Sequence, residues 1–172
     1  MSSADKNLSS VEGSGVPDAA PFRFGIVYSE WNHEITHALK AGAEKTLIAY
    51  GAKPENILVR EVPGSFELTL GAQYMAEFSQ VDAVICLGCV IQGETRHFDF
   101  ICDAVAKGIT DLNIKYNKPF IFGVLTPDNQ QQALDRAGGK HGNKGDEAAV
   151  TAIKMLGLKT SFRSGAALGF QR

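Results

Sequence analysis

The chain has 172 residues, enough for one domain with its own core. Apolar residues make up 44% and charged residues 21%, an ordinary globular balance, and the net charge of −2 provides no basic footprint for nucleic acid. No apolar run approaches the roughly 20 residues of a membrane-spanning helix, and the Ser-rich N-terminus, with Asp5, Glu12 and Asp18, lacks the features of a targeting segment, so a cytoplasmic location without membrane contact is expected.

Residues 1–21 are rich in Ser, Gly and Pro and read as a flexible N-terminal arm. Phe22 to Ser29 is a strand, and Asn32 to Tyr50 places Ile35, Leu39, Ala43 and Leu47 at helical spacing, ending at Gly51. Asn56 to Val62 returns to strand, Phe66 to Phe78 is helical, Ala83 to Ile91 is a strand, and His97 to Tyr116 is a longer helix. Pro119 to Thr126 is the fourth strand. Asn129 to Ala137 and Lys144 to Leu158 are helices on either side of a glycine-rich turn, and 159–172 is a C-terminal tail. Strands alternating with helices imply βαβ crossovers. The apolar runs Ala83-Val84-Ile85-Cys86-Leu87 and Phe120-Ile121-Phe122-Gly123-Val124-Leu125 fit strands buried on both faces. The expected fold is a three-layer α/β/α sandwich around a central, mainly parallel four-stranded sheet, flavodoxin-like, with its body over 22–158.

In such sheets ligands bind beyond the carboxyl ends of the strands. That rule gathers Trp31, Glu67 and His97 onto one rim. Gly93-Glu94-Thr95 precedes the helix that starts near His97, where unsatisfied N–H groups and the helix dipole favour an anion, and glycine leaves room for a phosphate to approach the backbone. Thr95 can add a hydroxyl, and His97 a proton-transfer group active near neutral pH.

Other motifs have simpler readings. Cys86 and Cys89 form a C-x-x-C, but side chains three apart on a strand point to opposite faces, so they read as core thiols. His33-Glu34-Ile35-Thr36-His37 matches H-E-x-x-H. It occupies the first turn of a helix, lacks the metzincin extension because Lys40 stands where glycine is needed, and leaves only Glu55 and Glu61 as third ligands, both flanking a strand. Two exposed histidines at a solvated helix start are expected there, and no metal. The turn from Gly138 to Gly145 lacks the Gly-Lys-Ser/Thr of a P-loop, although Arg136 and Lys144 bracket it and an Arg can fork onto a phosphate.

Four stretches carry a resemblance: Val62-Pro63-Gly64-Ser65-Phe66-Glu67; Gly88 through Asp99; Phe122-Gly123-Val124-Leu125-Thr126; and Arg136-Ala137-Gly138 with Gly142-Asn143-Lys144-Gly145. In this order they resemble the 6,7-dimethyl-8-ribityllumazine synthases of riboflavin synthesis, over about Phe22 to Leu158. The family condenses 5-amino-6-(D-ribitylamino)uracil with 3,4-dihydroxy-2-butanone 4-phosphate, releasing phosphate and water, and needs no metal or organic cofactor.

The resemblance implies that Trp31 stacks on the pyrimidine. Ser65, Phe66 and Glu67 would line the ribityl side, and Cys89, Val90 and Ile91 would offer backbone groups to the ring edge. Glu94 and Thr95 would hold the phosphate with Arg136 of a neighbouring subunit, Phe122 of that neighbour would wall the pocket, and Lys144 would lie near the ring. His97 would shuttle protons. Members form pentamers, and some build a 60-chain icosahedral capsid; riboflavin synthase is a candidate partner. The short turn from Gly138 to Gly145 resembles that of capsid formers, whereas Pro17 and Pro21 oppose strand pairing by the arm.

Overall fold

The computed structural model describes residues 15–167. Strands β1 (Phe24–Ser29), β2 (Ile57–Val62), β3 (Ala83–Cys89) and β4 (Phe120–Leu125) form one sheet in the order β2-β1-β3-β4, every neighbouring pair parallel. The helices are α1 (His33–Ala49), α2 (Leu68–Phe78), α3 (His97–Tyr116), α4 (Gln130–Asp135) and α5 (Lys144–Ala167). This is the expected three-layer α/β/α architecture.

Alternation along the strands divides the core into two layers. Phe24, Ile26, Ile85 and Leu87 pack with Ile35, Leu39 and Leu47 of α1 and Ile153 of α5. Val27, Val84 and Cys86 face the other way, onto Leu68 and Met75 of α2 and Val105 and Ile109 of α3. Every residue of β3 is buried, as a strand covered on both sides requires. Cys86 lies in one layer and Cys89 in the other, and burial pushes both thiols up to about 12. They remain protonated at neutral pH and do not converge.

Crossover handedness sets which helix covers which face. The step from β1 to β2 carries α1 over one face. The return from β2 to β3 runs in the opposite direction across the sheet, so α2 crosses on the other face, and α3 follows it there as β4 extends the sheet. Neighbouring β1 and β3 therefore send their chains to opposite faces, which opens a crevice at their carboxyl ends.

Three segments differ from their sequence-based expectation. Residues 15–21 pack on the body: Ala19 is fully buried, its N–H donates to the Tyr50 carbonyl at 2.8 Å, and Val16 joins the layer under α1 and α5. Pro17 lies against Gly157 and, lacking an N–H, leaves no donor unsatisfied there. The rest of the predicted arm, 1–14, and residues 168–172 of the tail lie outside the described residues. The last helix continues past Leu158 to Ala167, and Lys159 Nζ donates to the Asn117 carbonyl at 2.8 Å. The glycine-rich turn is a small antiparallel hairpin, β5 (Ala137–Gly139) with β6 (Gly142–Asn143).

That hairpin ties α5 to α1. Asn143 Nδ2 donates to the Ala38 carbonyl at 2.8 Å, and its Oδ1 accepts the Gly145 N–H at 2.7 Å. Gly145 is pressed so closely onto α1 that a Cβ there would stand 1.9 Å from the Leu39 carbonyl oxygen. Backbone cannot yield as a side-chain tip can. Gly145→Ala is expected to cost about 1–3 kcal/mol or more in urea unfolding. Gly93→Ala, whose Cβ would meet nothing within 4 Å, should stay within about 0.5 kcal/mol of the parent.

Candidate active site

A cleft of about 730 Å³ opens at the carboxyl ends of β1, β2 and β3. Its walls are Trp31 and Asn32 after β1, Gly64, Ser65, Phe66 and Glu67 after β2, Cys89, Val90 and Ile91 at the end of β3, and His97 and Ile101 of α3. The crevice dictated by the strand order and the rim chosen from sequence are the same place.

Backbone pairing beyond the strands positions these groups. The Glu30 and Trp31 amides donate to the Val62 and Pro63 carbonyls at 2.8 and 3.1 Å, so the β1–β2 contact continues under the Trp31 ring, which is 73% exposed over the cleft. Glu67 folds back over its own loop, bringing Oε2 to 3.0 Å from where a Cβ on Gly64 would lie. The Cys89 carbonyl accepts from Asn32 Nδ2 at 2.9 Å and from Ser65 Oγ at 3.5 Å. Val90 and Gln92 amides donate to Leu125 and Pro127 at 2.8 and 2.9 Å. Between them the Ile91 N–H has no partner among the described residues, leaving a donor on the cleft wall. Cys89 itself contributes shape and a neutral thiol, since its own carbonyl is already engaged.

The segment from Gln92 to Arg96 is exposed beside the cleft. Thr95 Oγ1 accepts the His97 N–H at 3.4 Å, while the amides of Glu94, Thr95 and Arg96 carry no hydrogen bond among the described residues. Gly93 has no positive φ and no atom near its missing Cβ, so the chain's own geometry does not demand glycine. What glycine leaves is open space in front of the loop.

Phe122, Arg136 and Lys144 do not line this cleft. Phe122 projects from the outer strand β4, in register with Cys86. Arg136 donates to Glu147 Oε1 at 2.8 Å and to the His141 carbonyl at 3.0 Å. Lys144, expected near the ring, holds the other Glu147 oxygen at 3.1 Å. Glu147 is only 5% exposed, and its two cationic partners compensate the cost of burying it.

The H-E-x-x-H helix start is partly packed. The His33 and His37 rings stack with centroids 3.6 Å apart, and His37 sits edge-on to Tyr28. His33 is exposed as expected, but His37 is half-buried, correcting that half of the reading. Its Nε2 is 3.5 Å from Glu61, ion-pair range without hydrogen-bond geometry. No group of three His, Cys, Asp or Glu side chains among the described residues could hold a metal.

Sequence reasoning missed Asn32, Ile101 and Glu147. Asn32 carried a signal, because Asn immediately before a helix is a residue type that tolerates the left-handed conformation it adopts. Glu147 stands three residues after Lys144 on α5, the spacing of a helical ion pair.

Comparison with known proteins places the chain in a family. Residues 21–160 match the model of the family described as 6,7-dimethyl-8-ribityllumazine synthase. A protein of that name from Cytophaga hutchinsonii is 65% identical over 156 residues, spanning 91% of this chain and 98% of its own length. One from Parabacteroides distasonis is 58% identical over 156 residues, with the same coverage of both chains. One from Flavobacterium psychrophilum is 51% identical over 172 residues, spanning 100% of this chain and 89% of its own. The chain belongs to the 6,7-dimethyl-8-ribityllumazine synthase family.

Proposed function

We propose that this enzyme condenses 5-amino-6-(D-ribitylamino)uracil with 3,4-dihydroxy-2-butanone 4-phosphate to give 6,7-dimethyl-8-ribityllumazine, with release of phosphate and water. The observation that carries the reading is the convergence of Trp31, Glu67 and His97 in one crevice, beside the free Ile91 amide and the open loop before α3. A flat ring stacks on Trp31. The Ile91 N–H and the Val90 carbonyl face its polar edge, and the Glu67 carboxylate, with Ser65 and Phe66 beside it, accepts from ribityl hydroxyls. The Glu94, Thr95 and Arg96 amides meet the phosphate at the start of α3.

The steps follow from the substrates' own groups. The pyrimidine amine attacks the ketone and, on loss of water, forms a C=N bond. Loss of the proton from the carbinol carbon next to the imine expels phosphate from its neighbour and leaves an enol. That enol tautomerises to a methyl ketone, onto which the ribityl-bearing nitrogen closes the ring with loss of another water. His97 accepts and returns protons through these steps. No electrons are transferred, so the sequence requires no redox group.

One chain does not complete this site, since Phe122 and Arg136 lie away from its own cleft. We assign them to the cleft of a neighbouring copy, in a pentameric ring of identical head-to-tail contacts, which the resemblance extends to an icosahedral capsid. Support comes from α2 and the turn before it, where Phe66, Leu70, Tyr74 and Phe78 recur every four residues as an exposed apolar stripe. Arg136 keeps donors for a phosphate after its two contacts within the chain. The three free cysteine thiols fit a cytoplasmic site of action.

Mixing both substrates with purified protein and following lumazine fluorescence tests the reading; absence of product beside an active control rejects it. Leu70→Glu is expected to break the assembly and abolish turnover together, read by sedimentation velocity and rate. Arg136→Ala should weaken use of the butanone phosphate by about 1.5–3 kcal/mol, roughly 10- to 100-fold in kcat/KM, with little change for the pyrimidine. Lys144 still neutralises Glu147 in that variant, and Arg136→Lys should recover only part of the loss because the fork is gone. Equal loss for both substrates would contradict the phosphate role. His97→Ala should lower kcat by at most about 10²-fold while leaving pyrimidine binding and assembly size unchanged. Undiminished turnover would remove His97 as the proton shuttle.

A further inference from the structure

The lip of the cleft depends on a residue that touches none of the proposed reacting atoms. Asn32 has φ 60° and ψ 45°, one of two non-glycine residues with positive φ among those described. Its carbonyl starts α1 by accepting the Ile35 and Thr36 amides at 2.9 and 3.1 Å. Its side chain makes no cap contact with that helix. Instead Nδ2 reaches across the crevice to the Cys89 carbonyl at 2.9 Å, joining the loop after β1 to the loop after β3.

We propose that Asn32 is a positioning residue, whose amide holds the Trp31 platform and the Cys89–Val90 peptide at one spacing so that a planar ring fits between Trp31 and the Ile91 N–H. The Trp31 backbone is held from below through its N–H on Pro63 and through Ser29 Oγ, 3.4 Å from its carbonyl. Among the described residues, Asn32 alone links it sideways by a hydrogen bond to the wall that carries the free donor. Asn suits both requirements: it tolerates the left-handed conformation, and it supplies a donor that Asp, equally tolerant, does not. The inference rests on the condensation reading for the identity of the ring, but the spacing itself can be measured without turnover.

Trp31 is the single tryptophan of the chain, so its fluorescence reports this lip directly. The test compares Asn32→Gly, which keeps the backbone conformation and removes the donor, with Asn32→Asp, which keeps shape and sets an acceptor against the Cys89 carbonyl. Both are expected to raise the amplitude of fast Trp31 motion in time-resolved anisotropy. Both should raise KM for the pyrimidine by roughly 3- to 10-fold, the range for one lost neutral hydrogen bond, with Asp the worse. KM for the butanone phosphate, melting temperature and assembly size should stay at parental values. Parental anisotropy and KM in Asn32→Gly would overturn the proposal, reducing Asn32 to a backbone-conformation requirement. If Asn32→Asp does not fold, the glycine variant decides alone. Failure of the condensation reading is a different result, because the parent protein then makes no lumazine while the anisotropy comparison still stands.

Discussion

The divergence of the chain after β1 and β3 is the constraint on which the rest of the structure depends. Two adjacent parallel strands, each buried on both faces, send α1 to one side and α3 to the other because crossovers keep one hand. A gap at their carboxyl ends follows without any residue being selected to make it. Everything chemical is then a matter of what lines the gap. Trp31 and Asn32 come from one lip, Cys89 to Ile91 from the other, and the turn after β2 closes the third side.

The polar groups assigned to the site fall into two sets that do not meet within one chain. Glu67, His97 and the free amides face the cleft, whereas Arg136 and Lys144 are held by buried Glu147 under the β5–β6 hairpin. A buried carboxylate costs several kcal/mol unless it is paired, so Glu147 locks both cations in place before any ligand arrives. Arg136 thereby becomes a rigid fork rather than a freely rotating side chain. In the reading given above, the ring of subunits delivers that fork to a neighbour's cleft. On that reading catalysis is concentration-linked, because an isolated chain would carry half of the phosphate site.

Much of this was legible in the amino-acid sequence, for definable reasons. Unbroken apolar runs at β3 and β4, and the spacing of Ile35, Leu39, Ala43 and Leu47, leave little freedom in the fold, and the strand-end rule then places Trp31, Glu67 and His97 together. Residues 15–21 were misread because Pro and Gly mark irregular backbone, and irregular backbone can still be packed, as the buried Ala19 is. The end of α5 was misread because Lys159, Thr160 and Ser164 are polar on a helix with little left to cover, so periodicity fades while backbone bonding continues. Asn32 and Glu147 were overlooked for another reason, since the local signal each carries does not reveal its distant partner. Each acts through a partner far along the chain or around a turn, Cys89 for one and Arg136 for the other, and local pattern carries no record of such pairings.

The composition of the cleft also indicates where its catalytic power comes from. Burial holds the Cys89 thiol at about 12, so it is no nucleophile at neutral pH, and His97 and Glu67 are the acid–base side-chain types on the wall. General acid–base transfer contributes about 10²- to 10⁴-fold. Holding two reactants in attack geometry can contribute about 7–11 kcal/mol, which is several orders of magnitude more. A condensation whose substrates bring their own amine, carbonyl and leaving phosphate therefore gains most from rigid walls at the right spacing. The structure is built accordingly, with lip and wall tied by the Asn32 and Ser65 hydrogen bonds to one carbonyl, so that the precision of the site resides in the scaffold more than in any single acid or base.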